Sequence, residues 1–99
     1  MDSIDQYKFA AKAAKALGDR TRLLIFREIQ DRGSMNMSDV IQLTNLAQPS
    51  VSFHVKQLVN AEIIDAEKVG REVHLKVNQE RVNQFFSDIE RINKLSNPA

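Results

Sequence analysis

Residues 47–64 read AQPSVSFHVKQLVNAEII, and the reading of this stretch decides the fold. Pro49 suits the first turn of a helix, where its missing N–H has no partner to lose. From there Val51, Val55, Leu58 and Val59 return at helical spacing to one face, while Pro49, Ser50, Phe53, Lys56, Gln57 and Asn60 fall on the other. A merely solvated face has no use for a phenylalanine among small polar groups. The helix, read as 48–61, therefore has one face for a core and a second that meets something. At Ile63 the period changes from helical to alternating. Ile63–Lys68 and Glu72–Val77 read as two strands, the second setting Val73, Leu75 and Val77 against Glu72, His74 and Lys76. Gly70 marks the turn between them, so the hairpin spans 63–77 with Lys68 and Arg71 near its tip.

Upstream, Ser38 is placed to cap a short helix through Val40, Ile41 and Leu43 that ends at Thr44 or Asn45. Before it, Asp19 caps a helix carrying Leu23, Leu24, Phe26 and Ile29, and Gly33 stops it. The first helix, 4–17, has Ile4, Tyr7, Ala11, Ala14 and Leu17 on one face and Lys8, Lys12 and Lys15 on another. A last helix, 80–95, carries the stripe Val82, Phe85, Phe86, Ile89, Ile92 and Leu95, richer in large apolar groups than one face of a small domain needs. The two prolines, Pro49 and Pro98, do not divide the chain, and there is no internal repeat. With 99 residues, 42% hydrophobic and 27% charged, the chain reads as one folded domain, 1–99, small enough that association would add core.

The fold class that follows is mainly α with a small β-hairpin, α+β, in the order α-α-α-α-β-β-α. Two helices joined by a short turn, the second with a polar outer face, followed by a hairpin, form a winged helix-turn-helix, an arrangement that sets one helix in the DNA major groove. Net charge is only +1, but no Asp or Glu occurs from Val40 to Ala61 although the chain has 13 of them, an exclusion that suits a phosphate-facing surface. Gln48, Ser50, Ser52 and Gln57 offer groups for base edges, Phe53 an apolar contact for a thymine methyl, and Lys56 and Arg71 partners for phosphate, guanine or a minor groove. The partners expected are thus double-stranded DNA and a second copy of the chain.

Three segments are similar to those of the ArsR/SmtB family of winged-helix repressors. LGDRTRLLIF, residues 17–26, resembles the start of its second helix; QPSVSFHVKQLVNAEII, residues 48–64, its recognition helix; VGREVHLKV, residues 69–77, its wing. The resemblance implies a homodimeric repressor built through the terminal helices 4–17 and 80–95, binding a dyad-symmetric operator that a signal releases. In the family's thiolate sensors two cysteines open the third helix; here Asn36 and Ser38 stand at those places, before a retained Asp39. Other members use histidines in the final helices for zinc, whereas 80–95 has the carboxylates Glu80, Asp88 and Glu90 and no histidine. No metal site and no cofactor are expected, although the carboxylates with His54 or His74 leave a weak site across a dimer open.

The chain has no cysteine, which excludes disulfides and thiol switches. No nucleophile and base converge in a recognisable motif, so an enzyme is not expected. His54, at the edge of the buried helix face, reads as a packing or hydrogen-bonding residue, and His74 as a solvated or phosphate-facing one. Without an apolar run of membrane length or a signal-peptide layout, a cytoplasmic protein is expected. A winged helix serving only as a protein-binding module is the alternative. The inducing signal stays open between a small apolar ligand between helices, a partner protein and the protein's own abundance.

Overall fold

The computed structural model describes residues 3–96; Pro98 lies outside them. A 3-10 turn at Ile4–Tyr7 leads into α1 (Lys8–Leu17), followed by α2 (Arg20–Arg32), β1 (Met35–Asn36), α3 (Met37–Thr44), α4 (Gln48–Asn60), β2 (Ile64–Val69), β3 (Glu72–Val77) and α5 (Gln79–Ser96). Five helices and a small antiparallel sheet make the winged helix-turn-helix expected, with one strand added. That strand is β1, which pairs Met35 with Leu75 and Asn36 with His74, so the sheet order is β1-β3-β2 and β3 lies in the middle. Two residues carry no periodicity, which is why the strand escaped notice.

The helix starts follow from local hydrogen bonds. Asp19 accepts from the backbone N–H of Thr21 at 2.9 Å and of Arg22 at 3.2 Å, the capping role expected of it. The cap of α3 is Asn36, not Ser38. Asn36 Oδ1 accepts from the Asp39 N–H at 2.8 Å while Asp39 Oδ2 accepts from the Asn36 N–H at 3.1 Å, a reciprocal pair that satisfies two otherwise orphaned donors. A left-handed Asn45 closes α3, and Leu46 and Ala47 complete the turn into α4, where Pro49 sits in the first turn as expected.

Helix α4 ends one residue earlier than expected and the strand after it begins one later. The Ile63 N–H reaches back to the Leu58 carbonyl at 3.3 Å and the Glu62 N–H to that of Val59 at 2.9 Å, a helix-closing pair of bonds that places Glu62 at φ +67°. Ile63 is thus spent on the cap rather than on the ladder. In the hairpin, Val69 faces Glu72 and leaves Gly70 and Arg71 as a two-residue turn, with φ +64° at Gly70 supplying what a side chain would resist.

Ile25 and Ile29 of α2, Val51 and Leu58 of α4, Met35, Val40, Ile63, Ile64 and Leu75 form the fully enclosed centre of the core. In α1 the buried face is Ala10, Ala13 and Ala16, not the one set by Ala11 and Ala14, which are exposed. Small side chains let α1 lie close against α2, α4 and α5, and among so many alanines the buried face leaves no sequence contrast. Helix α5 rests chiefly on α1 and buries only Val82 and Phe85 of its stripe. Phe86, Ile89 and Leu95 remain 56%, 41% and 64% exposed. The molecule is accordingly drawn out, 49 × 24 × 22 Å with a radius of gyration of 15.0 Å. A compact chain of this length has about 13 Å.

Candidate nucleic-acid interface

Burial of Val51, Val55 and Leu58 fixes the roll of α4 and turns Phe53 outward, 57% exposed with its ring edge-on to His54 at 5.6 Å between centroids. Gln48, Ser50, Ser52 and Lys56 are exposed on the same helix, and Gln57 is half-buried. Gln48, Ser52 and Lys56, four residues apart in turn, line the side toward the wing. Arg71 comes across from the turn of the hairpin to border the same groove. Ser50, Phe53 and Gln57 do not line it; they occupy the rest of the helix surface. The seven residues expected from sequence therefore divide into a wing-side row with Arg71 and a row on the outer and far side. Lys56 and Arg71 form no ion pair among the described residues, whereas Glu72 beside them has its Oε2 3.3 Å from His74 Nε2.

What holds α4 in place is a residue the sequence reading passed over. Arg22, near the start of α2, donates from Nε to the carbonyl of Ala16 at the end of α1 and from Nη1 to His54 Nδ1 at 3.1 Å. A guanidinium only donates, so His54 Nδ1 accepts and the neutral ring carries its proton on Nε2. One side chain thus joins three helices. The sequence offered a signal in LGDRTRLLIF, but three arginines within eight residues, Arg20, Arg22 and Arg27, do not announce which one turns inward. Burial pushes the Asp19 carboxyl up, but the backbone donors of Arg22 and Thr21 and the charge of Arg22 outweigh it and hold the group below its ordinary value.

Asn36 and Ser38 both lie at the head of α3, and Asp39 is committed to the cap of that helix. No group of three or more His, Asp or Glu is close enough to hold a metal among the described residues. On α5, Glu90 pairs with Lys94 at 3.1 Å and Asp88 lies 3.9 Å from Arg91. No helix among the described residues is long and apolar enough to cross a membrane.

A family model described as winged helix-turn-helix DNA-binding matches residues 18–65. An uncharacterized HTH-type transcriptional regulator of Methanocaldococcus jannaschii is 30% identical over 89 residues, covering 90% of this chain and 100% of that one. The arsenical resistance operon repressor of Bacillus subtilis is 34% identical over 74 residues, 75% of this chain and 70% of the repressor. Among solved structures, the homodimeric winged helix-turn-helix DNA-binding domain of Mb0332 from Mycobacterium bovis superimposes with a TM-score of 0.74 at 15% identity, covering 95% of this chain and 90% of that one.

Proposed function

Since the chain belongs to the ArsR family of winged helix-turn-helix DNA-binding transcriptional regulators, we propose that it is a homodimeric repressor that acts in the cytoplasm on a dyad-symmetric operator. Residues 1–99 act as one domain, and the terminal helices 4–17 and 80–95 form the dimer interface. One observation carries the reading of the site: Gln48, Ser52 and Lys56 converge with Arg71 of the wing on one exposed surface, and its two cations have no ion-pair partner among the described residues. A free cation on an acid-free helix and a second on the wing suit phosphate, while Ser50, Phe53 and Gln57 have the shape and chemistry for base edges in the major groove. The exposed stripe of Phe86, Ile89 and Leu95, and the dimeric state of the Mycobacterium bovis domain, support the second copy. Two-fold symmetry would set the recognition helices about 34 Å apart, one turn of duplex. The protein senses neither thiophilic metals nor zinc through the sites its relatives' family uses, because Asn36, Ser38 and the histidine-free α5 lack the ligands.

The test is binding of specific and scrambled duplexes at several salt concentrations. Ser50→Ala and Phe53→Ala should lose preference for the specific duplex, by about 1–3 kcal/mol for a good base contact. Lys56→Ala and Arg71→Ala should weaken both duplexes and flatten the salt slope. Equal losses on both duplexes for the first pair would remove them from base readout.

A further inference from the structure

The groove between α3, α4 and the wing contains more than DNA recognition requires. Its volume is about 540 Å³, and its lining includes the aliphatic side chains of Ile41, Val55, Val59 and Val73, buried or half-buried. Lys56 and Arg71 belong to the same lining and are exposed. A duplex laid on this surface brings phosphates and sugars to the two exposed cations, but it offers nothing to the buried and half-buried aliphatic groups beside them. A concave, mainly apolar site of a few hundred Å³ with a small number of placed polar groups is the usual form of a small-molecule pocket. The exposed charge selects the ligand: both cations lack an ion-pair partner among the described residues, and the one carboxylate in the lining, Glu72, lies 3.3 Å from the His74 ring. A guest needs an anionic head for Lys56 and Arg71 and an aliphatic body for the aliphatic groups.

We propose that this groove binds a small amphipathic carboxylate, and that its occupancy releases DNA by taking Lys56 and Arg71 away from the phosphates. The first half stands on the groove alone; the second rests on the DNA-binding reading given above. An arginine holds a carboxylate through paired, charge-assisted hydrogen bonds, the same capacity it would use for phosphate. Ligand and operator therefore compete for the same two side chains.

Octanoate is the probe, titrated into the full-length protein without DNA while the methyl resonances of Ile41, Val55, Val59 and Val73 are followed by NMR. Saturable shifts confined to those methyls are expected. Shortening the chain to hexanoate should weaken binding by about fifteenfold, near fourfold for each buried methylene, and octan-1-ol should bind more weakly than octanoate. With a preformed operator complex, octanoate at ten times its dissociation constant should raise the operator dissociation constant about tenfold. Ala66→Phe, on the exposed edge strand and in the groove lining, should abolish the octanoate-induced shifts in the free protein. No shifts at millimolar octanoate, shifts on α5 instead, or equal binding of octanol would overturn the site. Saturation that leaves the operator complex untouched would overturn the competition. If no operator were bound at all, the titration of the free protein would still decide the site.

Discussion

Phe86→Ala puts the dimer to a quantitative test. Phe86 is 56% exposed in the protomer, and a phenylalanine presents about 200 Å², so about 110 Å² of ring is available to a partner. Alanine retains about a third of that contact, so each copy loses about 75 Å², or about 2 kcal/mol at 25 cal/mol per Å². A two-fold interface uses the side chain twice, which makes the loss about 4 kcal/mol and raises the dimer dissociation constant by close to three orders of magnitude. Phe85 beside it, buried within the protomer, would remain in place. The assay is sedimentation velocity over a dilution series, with far-ultraviolet circular dichroism to confirm that the protomer stays folded. Operator affinity should fall in step with the dimer. An unchanged dissociation constant in a folded variant would refute the assignment of α5 to the interface, and with it the argument from the exposed stripe.

Asp19→Ala removes the acceptor for two backbone donors and should cost about 1 kcal/mol in urea denaturation. Because the Asp19 carboxyl titrates below its ordinary value of 3.8 in the folded protein, its contribution is complete above that pH and disappears as pH falls through the lower folded value; the gap between wild type and Asp19→Asn should close there, and a gap that closed near neutrality would refute the linkage. At Glu62 the positive φ penalises every residue except glycine, so Glu62→Gly should be more stable than Glu62→Ala by about 1 kcal/mol although both lose the 3.2 Å pair with Arg81; equal denaturation midpoints would contradict it. Arsenite, cadmium or zinc at micromolar concentration should leave a preformed operator complex intact in a gel-shift titration, and release of DNA would show that other ligands had been overlooked.

The elements legible in the sequence were those that bury large side chains at a steady period. Helix α4 and strand β3 came out with their faces correct because Val51, Val55 and Leu58, or Val73, Leu75 and Val77, contrast with polar neighbours. The roll of α1 did not, since alanines fill both its faces, and β1 did not, since two residues have no pattern. Boundaries moved where backbone capping overrode side-chain type. Asn36 took the role expected of Ser38 because its oxygen reaches the Asp39 N–H, and Ile63 closed α4 instead of opening β2. Of the candidate site, the residue types were legible, but their division into a wing-side row and an outer row required the orientation of the hairpin. Arg22 was hidden for a related reason: its partners, Ala16 and His54, lie far from it in sequence or on another element.

Strand β1 is short, yet it sets how this architecture can diversify. Asn36 is at once the residue that opens α3 and the rung opposite His74 on the central strand, two residues from Glu72 at the base of the hairpin turn. Whatever chemistry occupies positions 36–38 is therefore joined to the hairpin by the backbone pairing of β1 with β3, without passing through the tightly packed centre. Such a layout is modular. Any residue other than proline can occupy the head of α3 and keep this connection, because it is made of backbone N–H and carbonyl groups.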